Sequence, residues 1–169
     1  KKIGKISIEK LSKIIPAKKS FNYRNKMEFG FTNNRWLNNN EILSKKNLNK
    51  NGVGLHVQKM WDKILDIDKC LLQEEPSNQI RNSLKEFAVQ NKVSFYDLKN
   101  NKGLLRTIMI RTSSLYEIMV LIQFYENDQQ IIKKILKFLK SKFPEISSLL
   151  YYINRKANDS IYDQEIICY

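Results

Sequence analysis

One stretch limits the fold more than any other: Tyr23-Arg24-Asn25-Lys26-Met27-Glu28-Phe29-Gly30-Phe31. Read with period two, Tyr23, Asn25, Met27, Phe29 and Phe31 share one side, while Arg24, Lys26 and Glu28 share the other. That is the spacing of a half-buried strand, whose successive side chains leave the pleat on opposite faces. One side packs, and the other is left holding two cations.

The segments that follow extend this strand into a mixed pattern. Asn33-Asn34 makes a turn, and residues 44–52 read as an exposed, Lys- and Asn-rich loop. Val53, Leu55 and Val57 alternate with Gly54 and His56, predicting a second strand able to pair with the first. Residues 63–71 are a further extended piece ending at Cys70. Beyond Pro76, Ser77 caps a helix with Ile80, Leu84, Phe87 and Ala88 on one apolar stripe. Residues 104–112 and 117–125 form two strands, the second apolar on both faces, as a covered central strand is. Asp128 caps a second helix, with Ile131, Ile132, Ile135, Leu136 and Leu139 inward, Lys133, Lys134, Lys137 and Lys140 outward, and Pro144 as its stop. Residues 148–154 and 160–168 complete the strands. Residues 1–20 are either a lead-in strand or a short helix ended by Pro16. The order predicts one α+β domain over residues 1–169, a largely antiparallel sheet with about two helices on one face.

Length and composition narrow the class of protein. A chain of 169 residues, 42% hydrophobic and 28% charged, is ordinary for one globular domain. No apolar run approaches the roughly 18 residues of a membrane span. The Lys1-Lys2 start has no signal-peptide pattern, so a cytoplasmic location without membrane partners is expected. Cys70 and Cys168 are the only cysteines and suit a reducing compartment. A chain opening on Lys reads as a trimmed piece of a longer one. Up to Lys63 there are 15 Lys or Arg against 4 Asp or Glu, and beyond it 15 against 13, so the net +13 belongs mainly to the first third. Cations gathered on one surface release counterions from a polyanion on binding, which points to RNA. The bland alternative is a solvated surface written by an A-rich genome.

The same residues carry a resemblance. Tyr23 to Phe29, Asn34-Arg35-Trp36-Leu37, Gly54-Leu55-His56, the run from Trp61 to Gln73, Gly103-Leu104-Leu105-Arg106, Ile110-Arg111-Thr112, and Ile153-Asn154 with Lys156, Asn158 and Asp159 together resemble the middle of bacterial 23S rRNA (uracil-5-)-methyltransferases. The resemblance implies a central, RNA-engaging domain, with a Cys-rich, OB-like N-terminal part and a Rossmann-type catalytic domain outside this chain. Its partners are then 23S rRNA and those two domains. Arg24 and Lys26 match the RNA-contacting segment, and guanidinium forks suit phosphates and base edges. Arg106 is either paired with an internal carboxylate or offered to RNA. Asn154 and Asn158 fix a turn or meet the interdomain face. His56, the only histidine, is either a polar contact to RNA or a neighbouring domain, or a satisfied structural side chain. Tyr23, Phe31, Trp36 and Trp61 are core residues or stacking platforms for unpaired bases.

The chemistry of methyl transfer is not visible here. S-adenosylmethionine needs a Gly-rich strand-to-helix turn, and Gly52-Val53-Gly54 leads into a strand instead. The cofactor is therefore expected in the parent enzyme and not on this chain. Addition of a thiolate at uracil C6 and removal of the C5 proton need a Cys and a base, which the family places in the later domain. Cys70 matches one ligand of the family's four-iron, four-sulfur cluster, which takes four thiolates. Either upstream cysteines complete it in the parent, or the cluster is lost and Cys70 is a buried thiol; no cluster is expected in this fragment. A free-standing RNA-binding domain is the alternative, and a structural or protein-interaction domain is the third reading.

Overall fold

A computed structural model describes residues 3–4, 10, 12–44 and 48–169. The elements run β1 (Lys26–Thr32), α1 (Asn39–Leu43), β2 (Gly52–Val57), β3 (Met60–Asp66), α2 (Ser77–Gln90), β4 (Leu105–Thr112), β5 (Ile118–Phe124), α3 (Gln129–Lys142), β6 (Ile146–Ile153) and β7 (Ile167–Cys168). The strands form one sheet in the order β3-β2-β1-β4-β5-β6-β7. Every neighbouring pair is antiparallel except β5 and β6, which α3 joins as a parallel crossover. The expected α+β class holds, with the short α1 in addition to the two long helices.

The core follows from the alternation in β1. Met27, Phe29 and Phe31 are buried while Lys26 and Glu28 are exposed. The buried set joins Ile108 and Ile110 of β4, Val120, Ile122 and Phe124 of β5, and the apolar stripes of α2 and α3 in a single cluster. The two long helices lie side by side, the rings of Phe87 and Phe138 stacked with centroids 4.4 Å apart. α3 starts where its sequence says, because the Asp128 carboxylate accepts from the backbone N–H groups of Gln130 and Ile131, both at 3.1 Å. Arg81 of α2 is fully buried, its guanidinium 4.7 Å from the centre of the Phe29 ring and donating to the carbonyls of Ile67 and Asp68. Burial lowers its pKa; those partners offset part of the desolvation.

Five expectations shift. Ser77 is the first residue of α2 rather than its cap, and its hydroxyl donates to Gln73 Oε1 instead. Tyr23 and Asn25 are exposed and precede β1, because residues 22–24 pair with 71–72 instead: Asn22 and Arg24 donate to the Leu71 and Leu72 carbonyls, both at 2.9 Å. The extended piece expected at 63–71 is β3, three residues earlier, set by a tight turn at Lys59 with φ +66. The strand expected at 160–168 shrinks to β7, since residues 161–164 turn, with the Gln164 N–H donating to the Ile161 carbonyl. In the lead-in at 1–20, residues 1–2, 5–9 and 11 lie outside the described residues, and residues 12–20 are in neither helix nor strand. Gly30 lets the β2–β3 hairpin close over the face that lacks helices, as a Cβ there would lie 2.6 Å from Ile64 Cδ1.

Candidate nucleic-acid interface

Lys26 stands at one end of the sheet's uncovered face, and Arg24 lies exposed just before the start of β1. Residues 22–25 are clamped from below: besides the two bonds to 71–72, Gln73 Nε2 donates to the carbonyls of Asn25 at 3.3 Å and Ile110 at 3.0 Å. Gln73 is itself buried and its carbonyl oxygen accepts from Ser77 Oγ. The clamp fixes the backbone that carries Arg24 and Lys26, and both side chains are exposed. Among the described residues, Arg24 reaches Met27 Sδ, at 4.0 Å, and no carboxylate. The register adds a residue to which the sequence assigned no contact: Lys26 stands opposite Arg111 of β4, also exposed. Only strand pairing brings residues so far apart in the chain together.

Arg106 is different. It is buried at 4% exposure. Strict period two along β4 would set it on the face of Ile108 and Ile110, but a bulge between Leu105 and Thr107 breaks that alternation. Its Nη1 donates to the carbonyls of Lys156 at 2.6 Å and Asn154 at 3.3 Å, and its Nη2 to those of Ala157 and Asn158. Nη2 also pairs with the Asp159 carboxylate at 2.6 Å, and the guanidinium lies 4.7 Å over the Tyr96 ring. Arg106 thus anchors the segment after β6. Asn154 finishes that work from the other side, its Nδ2 donating to the Asn158 and Ser160 carbonyls and its Oδ1 accepting from the Lys156 N–H. It holds a turn. Asn158 is exposed and accepts from the Ser160 N–H.

His56 is exposed on the hairpin and borders a small pocket on the same face, together with Trp61, Tyr96 and Asp159. Phe31 is core, whereas Tyr23, Trp36 and Trp61 are exposed at 58%, 39% and 67%. Cys70 is buried, its backbone held at both N–H and C=O by the Asn78 amide. Cys168 is exposed, and no group of three or more His, Cys, Asp or Glu is placed to hold a metal among the described residues. These residues do not fit a four-thiolate cluster. Gly30, Gly52 and Gly54 lie within strands and Gly103, at φ +104, precedes β4, so none forms a strand-to-helix turn for S-adenosylmethionine. No described helix is long and apolar enough to cross a membrane.

No protein-family model matches the chain. An RNA methyltransferase of Bacteroides thetaiotaomicron that is itself uncharacterized is 41% identical over 98% of this chain. The chain is homologous to a segment of RNA methyltransferases. A second such relative, from Porphyromonas gingivalis, is 39% identical over 99% of the chain. In both cases the match spans 37% of the relative's length. Among solved structures, the tRNA (uracil-54, C5)-methyltransferase of Pyrococcus abyssi, in complex with S-adenosyl-L-homocysteine, superposes with a TM-score of 0.61 and 25% identity. That likeness covers 89% of this chain and 32% of the other. The segment held in common with RNA methyltransferases is thus this sheet with its helices.

Proposed function

We propose that this chain is the central, RNA-engaging domain of an enzyme that transfers a methyl group from S-adenosylmethionine to C5 of a uridine in 23S rRNA. The observation that carries the reading is its likeness, over nearly all of this chain, to part of a uracil-C5 methyltransferase solved with the demethylated cofactor. The domain holds RNA by Lys26 and Arg111 on the uncovered face, and by Arg24 just before β1, while a base is flipped towards an active site elsewhere in the enzyme. The thiolate nucleophile, the base and the cofactor site belong to a Rossmann-type domain of that enzyme, and the Cys-rich, OB-like part precedes this one. Arg106 and Asn154 serve by shaping the 154–160 segment; His56 and Asn158 are exposed and lie within reach of RNA or a neighbouring domain. The enzyme works in the cytoplasm, where reduced Cys70 and Cys168 are at home.

The name of the solved relative favours a second reading, with tRNA as substrate. Binding of the full protein to an rRNA hairpin and to tRNA, at two salt concentrations, separates the two. The Arg24→Ala, Lys26→Ala double variant should lose about 1–3 kcal/mol on the true substrate. Equal binding of variant and wild type to every RNA would sink the interface; preference for tRNA would move the substrate.

A further inference from the structure

The β2–β3 hairpin, the loop 95–103 and the segment 154–160 converge on the uncovered face around a pocket of about 130 Å³. Its floor is Gly30 and Thr107, paired across β1 and β4. Its walls include Tyr96 and Ile64, both buried. At the rim stand Trp61, at 67% exposure, and His56. Among the described residues no ring or cation stacks on the Trp61 indole. A large aromatic face left open beside a pocket costs hydration that burial would recover.

Three ties hold the pocket open before anything enters. Lys99 Nζ is 3.0 Å from Asp62 Oδ2, joining the hairpin to the loop. The Asp97 carboxylate accepts from Asn33 Nδ2 at 3.1 Å and from the Lys99 and Asn100 N–H groups at 3.0 Å. Arg106 fixes the third wall through Asp159 and the carbonyls before it. The polar groups that face inward are mixed in kind. Asn101 Oδ1 accepts from the Tyr96 hydroxyl at 2.7 Å, leaving its NH₂ to donate. Among the described residues, the second oxygen of Asp159 has no donor and is open to accept. One donor, one acceptor and one open π face are what the edge and plane of a nucleobase require.

The register supplies the last step. Lys26, Glu28 and Gly30 lie on the same face of β1, so Lys26 and the pocket floor are about 14 Å apart at about 3.4 Å per residue. A single strand whose phosphates rest on Lys26 and Arg111 therefore delivers a base to the pocket within a few nucleotides. We infer that this pocket takes one unpaired nucleobase of the bound RNA, stacked on Trp61 and distinct from the uridine that is methylated. The inference rests on the RNA-engaging reading above. The methylated uridine has to reach a nucleophile and base that lie outside this chain, so the base held here is a neighbour that sets the register of the RNA.

The test uses the full protein, a short unstructured RNA, and the same RNA with one abasic position moved along it. Trp61→Ala should weaken binding of the intact RNA roughly 5- to 150-fold, and Trp61→Phe, which keeps a stacking ring, should retain most of the affinity. At one abasic position the wild type should fall to the level of Trp61→Ala, and the two defects should not add. Trp61 is exposed, so both variants should melt with the wild type, which shows that they fold. If Trp61→Ala binds intact RNA like the wild type while the Arg24→Ala, Lys26→Ala variant is weakened, the pocket holds no base and the RNA reading stands. If Trp61→Ala weakens intact and every abasic RNA alike, the indole acts on the backbone or on the fold, and the inference is wrong. If the wild type binds no RNA above background, both readings fall together.

Discussion

Replacing Arg106 by Ala should loosen the segment after β6 before it unfolds the sheet. The guanidinium has five polar partners and two rings beside it, Tyr96 at 4.7 Å and Tyr125 at 6.0 Å, but they do not count equally. The carbonyls of 156–158 belong to exposed residues and return to water once released, and Asp159 is itself 59% exposed, so its ion pair contributes little. The carbonyl of fully buried Asn154 is the acceptor that cannot be rehydrated without moving the strand end. One hydrogen bond from a charged donor to such a group contributes about 2 kcal/mol, and the stacking on Tyr96 adds about 1 kcal/mol. Arg106→Ala should therefore cost about 3 kcal/mol in urea unfolding, and Arg106→Lys about half of that, since an ammonium keeps the charge but not the fork. Limited proteolysis should show new cleavage within 155–160 in both variants. A loss below about 0.5 kcal/mol with unchanged protection of 155–160 would refute the anchoring argument, because the segment would then be holding itself through Asn154 alone.

Other outcomes follow from the same geometry. A Cβ on Gly54 would lie 2.0 Å from the Leu65 carbonyl oxygen, so Gly54→Ala should cost about 3 kcal/mol in thermal unfolding. Gly30→Ala meets only the flexible tip of Ile64 and should cost about 1 kcal/mol. Burial pushes the Tyr152 phenol up to about 12. A raised folded pKa contributes stability that is whole below pH 10 and is lost as pH rises through 12; by alkaline denaturation the wild type should lose on the order of 2 kcal/mol there relative to Tyr152→Phe. The Asn100 and Asn33 amides hold the Asp97 carboxyl at about 2. A depressed folded pKa contributes stability that is whole above pH 4 and is lost as pH falls through 2. Asp97→Asn should flatten that acid limb by no more than about 1 kcal/mol, because the group is partly open to solvent.

What could be read in advance was what repeats. Met27, Phe29 and Phe31, and the stripe of α3 from Ile132 to Leu139, announce their buried face by spacing alone, and the structure buries them. What could not be read was where the period breaks. The bulge beside Arg106 turns a residue that counts as core-facing towards the 154–159 segment, and nothing in Leu104-Leu105-Arg106-Thr107 marks the extra residue. Tyr23 and Asn25 continue the alternation of β1 on paper, yet the neighbouring N–H groups of Asn22 and Arg24 are claimed by the carbonyls of 71–72, a contact set by distant partners. The Lys26 and Arg111 pair is likewise a product of register, invisible until the strands are aligned. Trp61 was legible as an exposed platform or as core, and only its place on the hairpin decides between them.

The place of β1 in the sheet also bears on how the chain is made. Its Lys26 to Gly30 edge pairs with residues 107–111 of β4, roughly 80 residues later on the ribosome. At synthesis rates of about 5–20 residues per second, Met27, Phe29 and their open backbone wait about 4–16 s for that partner. Loops that long make the central seam one of the last parts of the fold to close. During that interval the charged neighbours Arg24, Lys26 and Glu28 are what discourages another nascent strand from adding to the bare edge, so the cations assigned here to RNA also guard the chain before any RNA arrives.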